Sequence, residues 1–341
     1  MIKKSLKSFG RYLVKKIIID IKVSENSKGE RKLTFFTTKT FFGKVLNQGI
    51  KLFAKKLNLK DLEGIIYRIQ KDLNPHKLYF KHTAKAFGFK IKVTGLPFSD
   101  VKKEGPIIFY ANHPLSGADA FALASEIEKI RPDIKTIAST YVESIPGLRE
   151  NSFVVNVFDG PDVRELNKKK FDMINKHISQ GNSLLIFPAG SMSCWSDDNQ
   201  VYALDPPWRV GIARIGEQSP DTVFIPVFVQ GEPSDEYLNL RKKSPALASI
   251  LVFKELARQK DGEIDFVVGE GISINELKDL SYQDKVDYLR ASLYSLGTDY
   301  FKRSKGNDQI INENYSKEAP LVTNEEYNLM NKIRAKEALE N

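Results

Sequence analysis

Short apolar runs alternate with helical stretches through the middle of the chain, and this alternation restricts the fold more than any other feature. The runs are strand-sized and rich in Val, Ile and Phe, at residues 89–93, 107–111, 134–138, 153–158, 183–187, 222–228 and 264–268. Helical spacing of apolar residues fills the intervals, most clearly at 119–130, 163–179 (closed by Gly181), 245–259 and 282–301. Because the runs are continuously apolar, we predict an α/β fold whose mainly parallel central sheet is flanked by helices on both faces.

Positive charge is concentrated in the first quarter of the chain. Residues 1–90 carry 22 Lys and Arg against 6 Asp and Glu, whereas the whole chain has a net charge of +9. Near the start, apolar side chains recur at helical spacing between basic ones, at Ile2, Leu6, Phe9, Leu13 and Ile17. This predicts a basic amphipathic helix. We favour contact with an anionic membrane surface over packing on the core, and no motif indicates nucleic acid as a partner.

Composition narrows the class and the location of the protein. The single cysteine, Cys194, excludes an intrachain disulfide framework and a multi-cysteine zinc site, and it fits a reducing compartment. No run approaches the roughly 20 apolar residues that cross a bilayer, and no secretory signal with a cleavage site is present. We therefore expect a peripheral protein at the cytoplasmic face of a membrane, without a transmembrane helix.

Three segments are predicted along the chain. Residues 1–75 form a basic, helical, membrane-associating extension, in which 21–40 lack regular structure and 41–59 and 65–73 are short helices. Residues 76–302 form the α/β domain and begin with a helix at 76–87. Residues 303–341 form a polar tail with a helix near 325–339.

His113 and Asp119 follow the apolar run 107–111, and ligands of parallel sheets bind beyond the carboxyl ends of strands. A neutral imidazole, with an ordinary pKa of about 6.5, can take a proton from an attacking hydroxyl near pH 7. A carboxylate on the other ring nitrogen would orient it and stabilise the imidazolium. The alternative is a capping box formed by Ser116 and Asp119, in which the carboxylate only complements the helix dipole.

Two further places could contribute to the same edge. Residues 187–193 follow another apolar run, and their small side chains would let backbone N–H groups approach a substrate oxygen, although a plain turn explains them equally well. Pro226 lies inside the run 222–228, which predicts a sheet edge or a bulge near the site.

Taken in this order, the segments resemble the glycerolipid and lysophospholipid acyltransferase family. Its blocks are an Asn-His motif with a downstream Asp, a Phe-Pro-x-Gly turn and a later Ile-Pro strand. The similarity extends to the hemolysin-like branch, which includes enzymes that make ornithine and other amino-acid lipids, where the first motif reads His-Pro-Leu-Gly-Gly-x-Asp. Here it reads His-Pro-Leu-Ser-Gly-Ala-Asp at 113–119, and the resemblance spans about residues 80–297.

The resemblance implies a glycerolipid acyltransferase-like fold and transfer of a fatty acyl chain to a lysolipid hydroxyl. The donor would be a thioester of acyl carrier protein or coenzyme A, with no covalent acyl-enzyme, no metal and no further cofactor. His113 would be the general base and Asp119 its partner. The implied substrate-binding residues are Asn112, Ser116, Gly117, Phe187, Pro188, Ala189, Gly190, Ser191 and Arg209.

Two departures from the family pattern bear on geometry and substrate. Five residues rather than four separate His113 from Asp119, and we expect the flexible Gly117 to absorb the extra one. Met192 replaces the arginine that holds an acceptor phosphate in the family's Phe-Pro-Glu-Gly-Thr-Arg turn. Because a bidentate Arg contact is difficult to replace, we expect a lyso-amino-acid lipid rather than glycerol-3-phosphate or lysophosphatidate, unless an arginine elsewhere compensates, the candidates being Arg149, Arg164 and Arg209.

Rival functions have weaker support in the sequence. A serine hydrolase lacks its Gly-x-Ser-x-Gly elbow, and the four histidines are scattered rather than spaced as metal ligands. The remaining alternative is a membrane-binding protein without activity on the same scaffold, since fold does not establish function. The presence of both His113 and Asp119 favours an enzyme.

Overall fold

The computed structural model describes residues 20–25, 31–36, 60–72, 78–140, 145, 147–156, 163–195 and 202–304. Its strands are β1 (Asp20–Glu25), β2 (Arg31–Phe36), β3 (Lys90–Gly95), β4 (Ile107–Ala111), β5 (Lys135–Ser139), β6 (Ser152–Val155), β7 (Ser183–Ile186), β8 (Cys194–Trp195), β9 (Ala203–Leu204), β10 (Val223–Val229), β11 (Glu263–Val268) and β12 (Ile272–Ser273). Its α-helices are α1 (Lys60–Asp72), α2 (Tyr79–Phe87), α3 (Gly117–Glu128), α4 (Leu148–Asn151), α5 (Val163–Ser179), α6 (Gly211–Gly216), α7 (Asp235–Lys243), α8 (Pro245–Arg258), α9 (Tyr282–Ser295) and α10 (Thr298–Ser304).

An eight-stranded sheet forms the centre of the molecule. Seven of its strands lie in the order β3-β11-β10-β4-β7-β5-β6, and β12 pairs with β10. The five strands from β10 to β6 are mutually parallel, whereas β11 and β12 run antiparallel to β10. The predicted α/β class with a mainly parallel sheet is confirmed, and the carboxyl ends of five strands meet at one edge.

Both faces of the sheet are buried, which explains why its strands are apolar without interruption. Along β4, Ile107 and Phe109 belong to one hydrophobic cluster, whereas Ile108 and Tyr110 belong to the other. Helices α2, α3 and α8 contribute to the first cluster, and α5, α6 and α9 to the second. Each central strand therefore contributes alternate side chains to two separate cores.

The predicted absence of regular structure at residues 21–40 is wrong. β1 and β2 form an antiparallel hairpin in which Ile21 is opposite Phe35 and Val23 is opposite Leu33. Apolar residues alternate with polar ones through the middle of both strands, the period typical of strands, and the high content of lysine and threonine obscured that period. The predicted helices at 2–17, 41–59 and 325–339 lie outside the described residues, and no described helix is long and apolar enough to span a bilayer.

Helix boundaries differ from prediction at two places. The helix expected at 76–87 begins at Tyr79, after Leu78 in the left-handed conformation. The helix expected at 282–301 is divided into α9 and α10 around Gly297. A Cβ at Gly297 would lie 2.4 Å from the Phe228 ring, so the chain passes too close to β10 for a side chain there.

Pro226 does not mark a sheet edge, so the first of the two predicted alternatives is wrong, whereas an extra residue between Val268 and Ile272, opposite Phe224 to Val227, agrees with the second, a bulge. β10 lies between β4 and β11, and Pro226 keeps its place opposite Tyr110 in the parallel ladder. On the other side, the pairing of β10 changes from β12 at Phe224 to β11 at Val227. The missing N–H of the proline therefore falls in the gap between two partner strands, where no ladder hydrogen bond is lost.

Candidate functional site

The loop after β4 lies at the edge where the parallel strands end, and Asn112 holds its first residue in place. The Asn112 side chain accepts a hydrogen bond from the Val229 N–H at 2.7 Å and donates one to the Val229 carbonyl at 2.9 Å. The amide thus imitates one more residue of strand pairing between β4 and β10. Asn112 is 4% exposed, and these two bonds position the loop; its predicted contact with substrate stays a prediction.

A tight turn then carries the chain into α3. The Ala118 N–H donates to the Leu115 carbonyl at 3.3 Å, and Ser116 has φ 61° and ψ −139°. These are close to the angles of the first central residue of a type II′ turn, a position that glycine normally occupies. Ser116, and not Gly117, therefore takes the unusual backbone conformation in this loop.

The capping-box alternative is wrong, because the Ser116 side chain makes no hydrogen bond to the start of α3. Its hydroxyl instead donates to the Val252 carbonyl of α8 at 3.0 Å, and Ser116 is buried. Like Asn112, Ser116 fixes the loop through its side chain, and its predicted contact with substrate stays a prediction. Gly117 is partly buried, and an added Cβ there would make only ordinary contacts.

The turn brings His113 and Asp119 together. His113 Nδ1 lies 2.9 Å from Asp119 Oδ2, and the same carboxylate accepts the N–H groups of Leu115 and Ala120 at 2.9 and 2.8 Å. Asp119 is fully buried, whereas the His113 side chain is 20% exposed. With Nδ1 donating to the carboxylate, Nε2 is the nitrogen without a proton, and no described residue hydrogen-bonds to it.

Electrostatics favour the protonated form of this histidine. Burial alone acts to lower the pKa of His113, but the charge of Asp119, the hydrogen bond to it and the charge of Asp205 outweigh burial and raise the pKa. The pair can therefore stabilise an imidazolium that forms after proton transfer.

Asp205 is a site residue that the sequence did not single out. Its carboxylate is buried and accepts hydrogen bonds from the His113 N–H at 3.1 Å, the Ser193 hydroxyl at 2.8 Å and the Trp208 indole N–H at 3.1 Å. Burial raises the pKa of Asp205, although these donors oppose the rise. Asp205 thus ties the His113 loop to the loop after β7. Only its place beyond the predicted strands, before an apolar helix, could have drawn attention to it.

The loop after β7 forms the second wall of the site. Phe187 to Gly190 make a turn closed by a 3.0 Å bond from the Gly190 N–H to the Phe187 carbonyl, with Gly190 left-handed at φ 66°. Pro188 stands at the turn position where its fixed φ is favoured. The Phe187 ring centroid lies 4.4 Å from that of His113, and the Ser193 N–H binds the His113 carbonyl at 3.0 Å. The two predicted segments therefore form one site.

The remaining predicted residues lie at different distances from this centre. Pro188 and Ala189 are buried, Ser191 is partly buried, and Gly190 is exposed. The Arg209 N–H donates to the Pro188 carbonyl at 3.4 Å, but the residue is exposed. Arg149 is exposed in α4, and the side chain of Arg164 is outside the described part. Met192 points into the first hydrophobic cluster, so an arginine at that position would not face the site without rearrangement.

Comparisons with known proteins give similarity at the level of solved structures. No protein-family model matches the chain, and no curated protein matches it. Among solved structures, the chain is similar to the crystal structure of the 1-acyl-sn-glycerophosphate acyltransferase PlsC from Thermotoga maritima. That similarity covers 77% of this chain and 98% of the other, with 14% identical residues and a TM-score of 0.40.

Proposed function

We propose that the protein is an O-acyltransferase that moves a fatty acyl chain from a thioester to the hydroxyl of a lysolipid. The observation that carries the proposal is the contact of His113 Nδ1 with the buried Asp119, combined with a partly exposed ring whose Nε2 is free to accept a proton. This is the arrangement of a general base and its orienting carboxylate. The ordered sequence blocks that resemble the glycerolipid acyltransferases support the same reaction.

In the proposed mechanism the acceptor hydroxyl approaches His113 Nε2. As its oxygen attacks the thioester carbonyl carbon, Nε2 takes the hydroxyl proton and Asp119 stabilises the imidazolium. The tetrahedral intermediate then collapses: the C–S bond breaks, the ester carbonyl re-forms, and the departing thiolate receives the proton from Nε2. His113 returns to its neutral form, and no acyl group is attached to the protein at any stage.

The oxyanion of the intermediate needs hydrogen-bond donors, and the turn after β7 offers them. In the part of the chain that the structure describes, the N–H groups of Ala189 and Ser191 have no acceptor. Both lie in the loop that contacts His113 through Phe187 and Ser193. We propose these N–H groups as oxyanion donors, each of which can contribute about 2–4 kcal/mol to transition-state stabilisation in a dry site.

We further propose acyl carrier protein or coenzyme A as the carrier of the donor and a lyso-amino-acid lipid or lysophospholipid as the acceptor. The protein would act from the cytoplasmic face of a membrane, held by the basic residues of its first quarter. The alternative substrate class is glycerol phosphate, which would make the protein a glycerol-phosphate-type acyltransferase. The alternative function is a membrane-binding protein without activity. The hydrogen bonds that fix the His113 loop favour an enzyme instead.

The test is an acylation assay with the full-length protein. Acyl carrier protein and coenzyme A thioesters are each offered with a lyso-amino-acid lipid, a lysophosphatidate and glycerol-3-phosphate, and the products are identified by mass spectrometry. We expect transfer by the wild type and a loss of about 10²–10⁴-fold in His113→Gln, the usual contribution of a general base. His82→Gln is the matched control, because His82 is an exposed histidine of α2.

The assay distinguishes the alternatives. Thermal unfolding midpoints for the three proteins establish that the His113 variant folds. Transfer that survives in a folded His113→Gln would reject the mechanism. A wild type that sediments with anionic vesicles but transfers no acyl group from either carrier would instead favour the non-catalytic protein.

A further inference from the structure

Arg241 lies beside the second loop of the candidate site, in the last turn of α7. It follows the buried residues Tyr237 and Leu238 by four and three positions, so helix geometry places it on the side of α7 that faces the protein. Helix α7 packs against β8, and Arg241 Nη2 lies 3.5 Å from the hydroxyl of Ser191. A partly buried guanidinium therefore stands at the turn that follows β7.

Among the described residues, no carboxylate forms an ion pair with Arg241. Asp205 is a described acid near this turn, but it is buried and accepts three hydrogen bonds from other groups. The Cys194 thiol also lies beside the guanidinium: burial raises the pKa of Cys194, and the Arg241 charge opposes the rise. Within the described part of the chain, Arg241 thus contacts a thiol and a hydroxyl but no acid, and a partly buried charge is stabilised by an anionic partner.

We propose that Arg241, together with the Ser191 hydroxyl, binds the anionic oxygens of the acceptor's polar head group, a carboxylate or a phosphate. The inference rests on the proposed function, because it names the acceptor of that same site. A guanidinium pairs with both anions through two parallel N–H···O bonds, and Ser191 can donate a third. Ser191 lies two residues before Ser193, whose N–H donates to the His113 carbonyl. The proposed anion site and the base therefore lie in two loops that are hydrogen-bonded to each other.

A purely structural role for Arg241 makes a different prediction. Arg241, Lys242 and Lys243 all lie in the last turn of α7, where positive charge complements the helix dipole. If Arg241 acted only in this way, replacing Lys243, which is exposed in the same turn, would have a similar effect. An anion site predicts that Arg241 alone matters, and only for acceptors that carry the anion.

The experiment compares acceptors that differ in one charge. A hydroxyacyl amino acid with a free carboxylate and its methyl ester are titrated against a fixed thioester, with lysophosphatidate as the phosphate case and monoacylglycerol as the neutral one. In the wild type we expect the acid to exceed its methyl ester by about tenfold to a hundredfold in kcat/KM, as for hydrogen bonds to a charged group. Arg241→Gln should abolish that preference while turnover of the methyl ester is kept, Arg241→Lys should keep part of it, and Lys243→Gln should keep all of it.

Three outcomes would overturn the proposal. One is an acid preference that persists in Arg241→Gln. A second is an equal loss on acid and ester in that variant, which indicates a structural role. A third is a rise in KM for the thioester at constant acceptor KM, which assigns the cation to the donor. The ratio between lysophosphatidate and the amino acid acceptor, measured in the wild type, identifies which anion the site prefers.

Failure of the proposed function would be recognised separately. If the wild type transfers no acyl group to any acceptor, calorimetric binding of N-octanoyl amino acid and of its methyl ester tests the anion site without catalysis. Binding of the acid that is lost in Arg241→Gln and kept in Lys243→Gln supports the site while the acyltransferase proposal falls. Equal binding by all three proteins rejects the site.

Discussion

Two clusters of charged residues lie at opposite edges of the same sheet. They differ in how many of their polar groups are hydrogen-bonded within the protein. At the amino edge, Arg131 is 1% exposed and donates to both oxygens of Asp133 and to the carbonyls of Lys102, Gly105 and Gly181. Asp133 in turn accepts the N–H of Ser183 at the start of β7. This cluster joins the segments that lead into three neighbouring strands.

At the carboxyl edge, Asp119 and Asp205 are buried, and both oxygens of each carboxylate accept hydrogen bonds. The histidine that they hold is only partly buried and only partly hydrogen-bonded. His113 is fixed through its backbone and Nδ1, while part of its ring is exposed and Nε2 has no described partner. The pKa shifts follow the same contrast. Burial acts to raise the pKa of Asp133, but Arg131 holds it below its ordinary value; the carboxylates near His113 raise the pKa of a group that can still exchange its proton.

The difference indicates what each cluster is for. A network whose donors and acceptors are all satisfied contributes stability and uniqueness, whereas a rigidly held group with one free nitrogen is suited to react with something that is not protein. If this is correct, substitutions at the carboxyl edge should change activity more than stability, and substitutions at the amino edge should do the reverse.

The largest effect is expected at Asp119. Asp119→Asn removes the charge that stabilises the imidazolium, so kcat should fall by about 10³–10⁴-fold, as for the orienting carboxylate of other triads. The pH dependence should change as well. Neutral His113 is the active form and its pKa is raised, so wild-type activity should increase with pH through a midpoint above about 6.5, and the midpoint should move to lower pH in the variant.

The measurement is kcat/KM against pH for the wild type, Asp119→Asn and a control, Glu126→Gln. Glu126 is a carboxylate of the same helix that pairs with Lys129 rather than with His113. The control should match the wild type in both rate and midpoint. A midpoint that stays in place when Asp119 is neutralised would mean that this carboxylate does not set the protonation of the base, and the contrast between the two edges would lose its basis.

Arg131 should give the reverse result. Arg131→Met removes the guanidinium from the partly buried Asp133 carboxylate and from three carbonyls, so the free energy of unfolding should fall by about 1–3 kcal/mol, the usual cost of leaving buried acceptors unpaired. The activity per folded molecule should be retained, because the cluster lies at the far edge of the sheet. Urea unfolding measures the free energy of unfolding, and activity assays at urea concentrations below the unfolding midpoint measure the activity per folded molecule.

Lys129→Ala is the control for Arg131→Met. Lys129 lies two residues before Arg131 and pairs with Glu126 at the surface, so its replacement should change the free energy of unfolding by less than about 1 kcal/mol. A loss of activity in folded Arg131→Met that equals the loss in Asp119→Asn would contradict the division of roles between the edges.

The sequence predicted the parts of this contrast that depend on local pattern. Apolar runs located β4 and β7, and the rule that ligands bind beyond strand ends identified His113, Asp119 and the turn at Phe187. Asp205 and Arg241 could not be found in this way. Asp205 binds the His113 N–H across 92 residues, and Arg241 contacts Ser191 across 50, so each depends on how separate elements pack.

Two errors have the same physical origin. Gly117 was expected to take the unusual conformation because glycine has the freedom to do so, but the need for ψ −139° falls one residue earlier, where the turn geometry places it. The long helix expected at 282–301 is interrupted around Gly297, which lies so close to the Phe228 ring that a side chain would not fit there. In neither case did residue propensity alone locate the change in backbone conformation.

The smallest expected effect concerns that turn. Ser116→Ala and Ser116→Gly both remove the hydroxyl bond to Val252, but only glycine removes the penalty of φ 61°. The difference between the two variants therefore isolates backbone strain, and we expect Ser116→Gly to be more stable by about 1 kcal/mol in urea unfolding. Gly117→Ala, at an ordinary helical position with room for a methyl group, should be neutral or slightly stabilising. If Ser116→Ala were the more stable variant, the strain would not reside at Ser116.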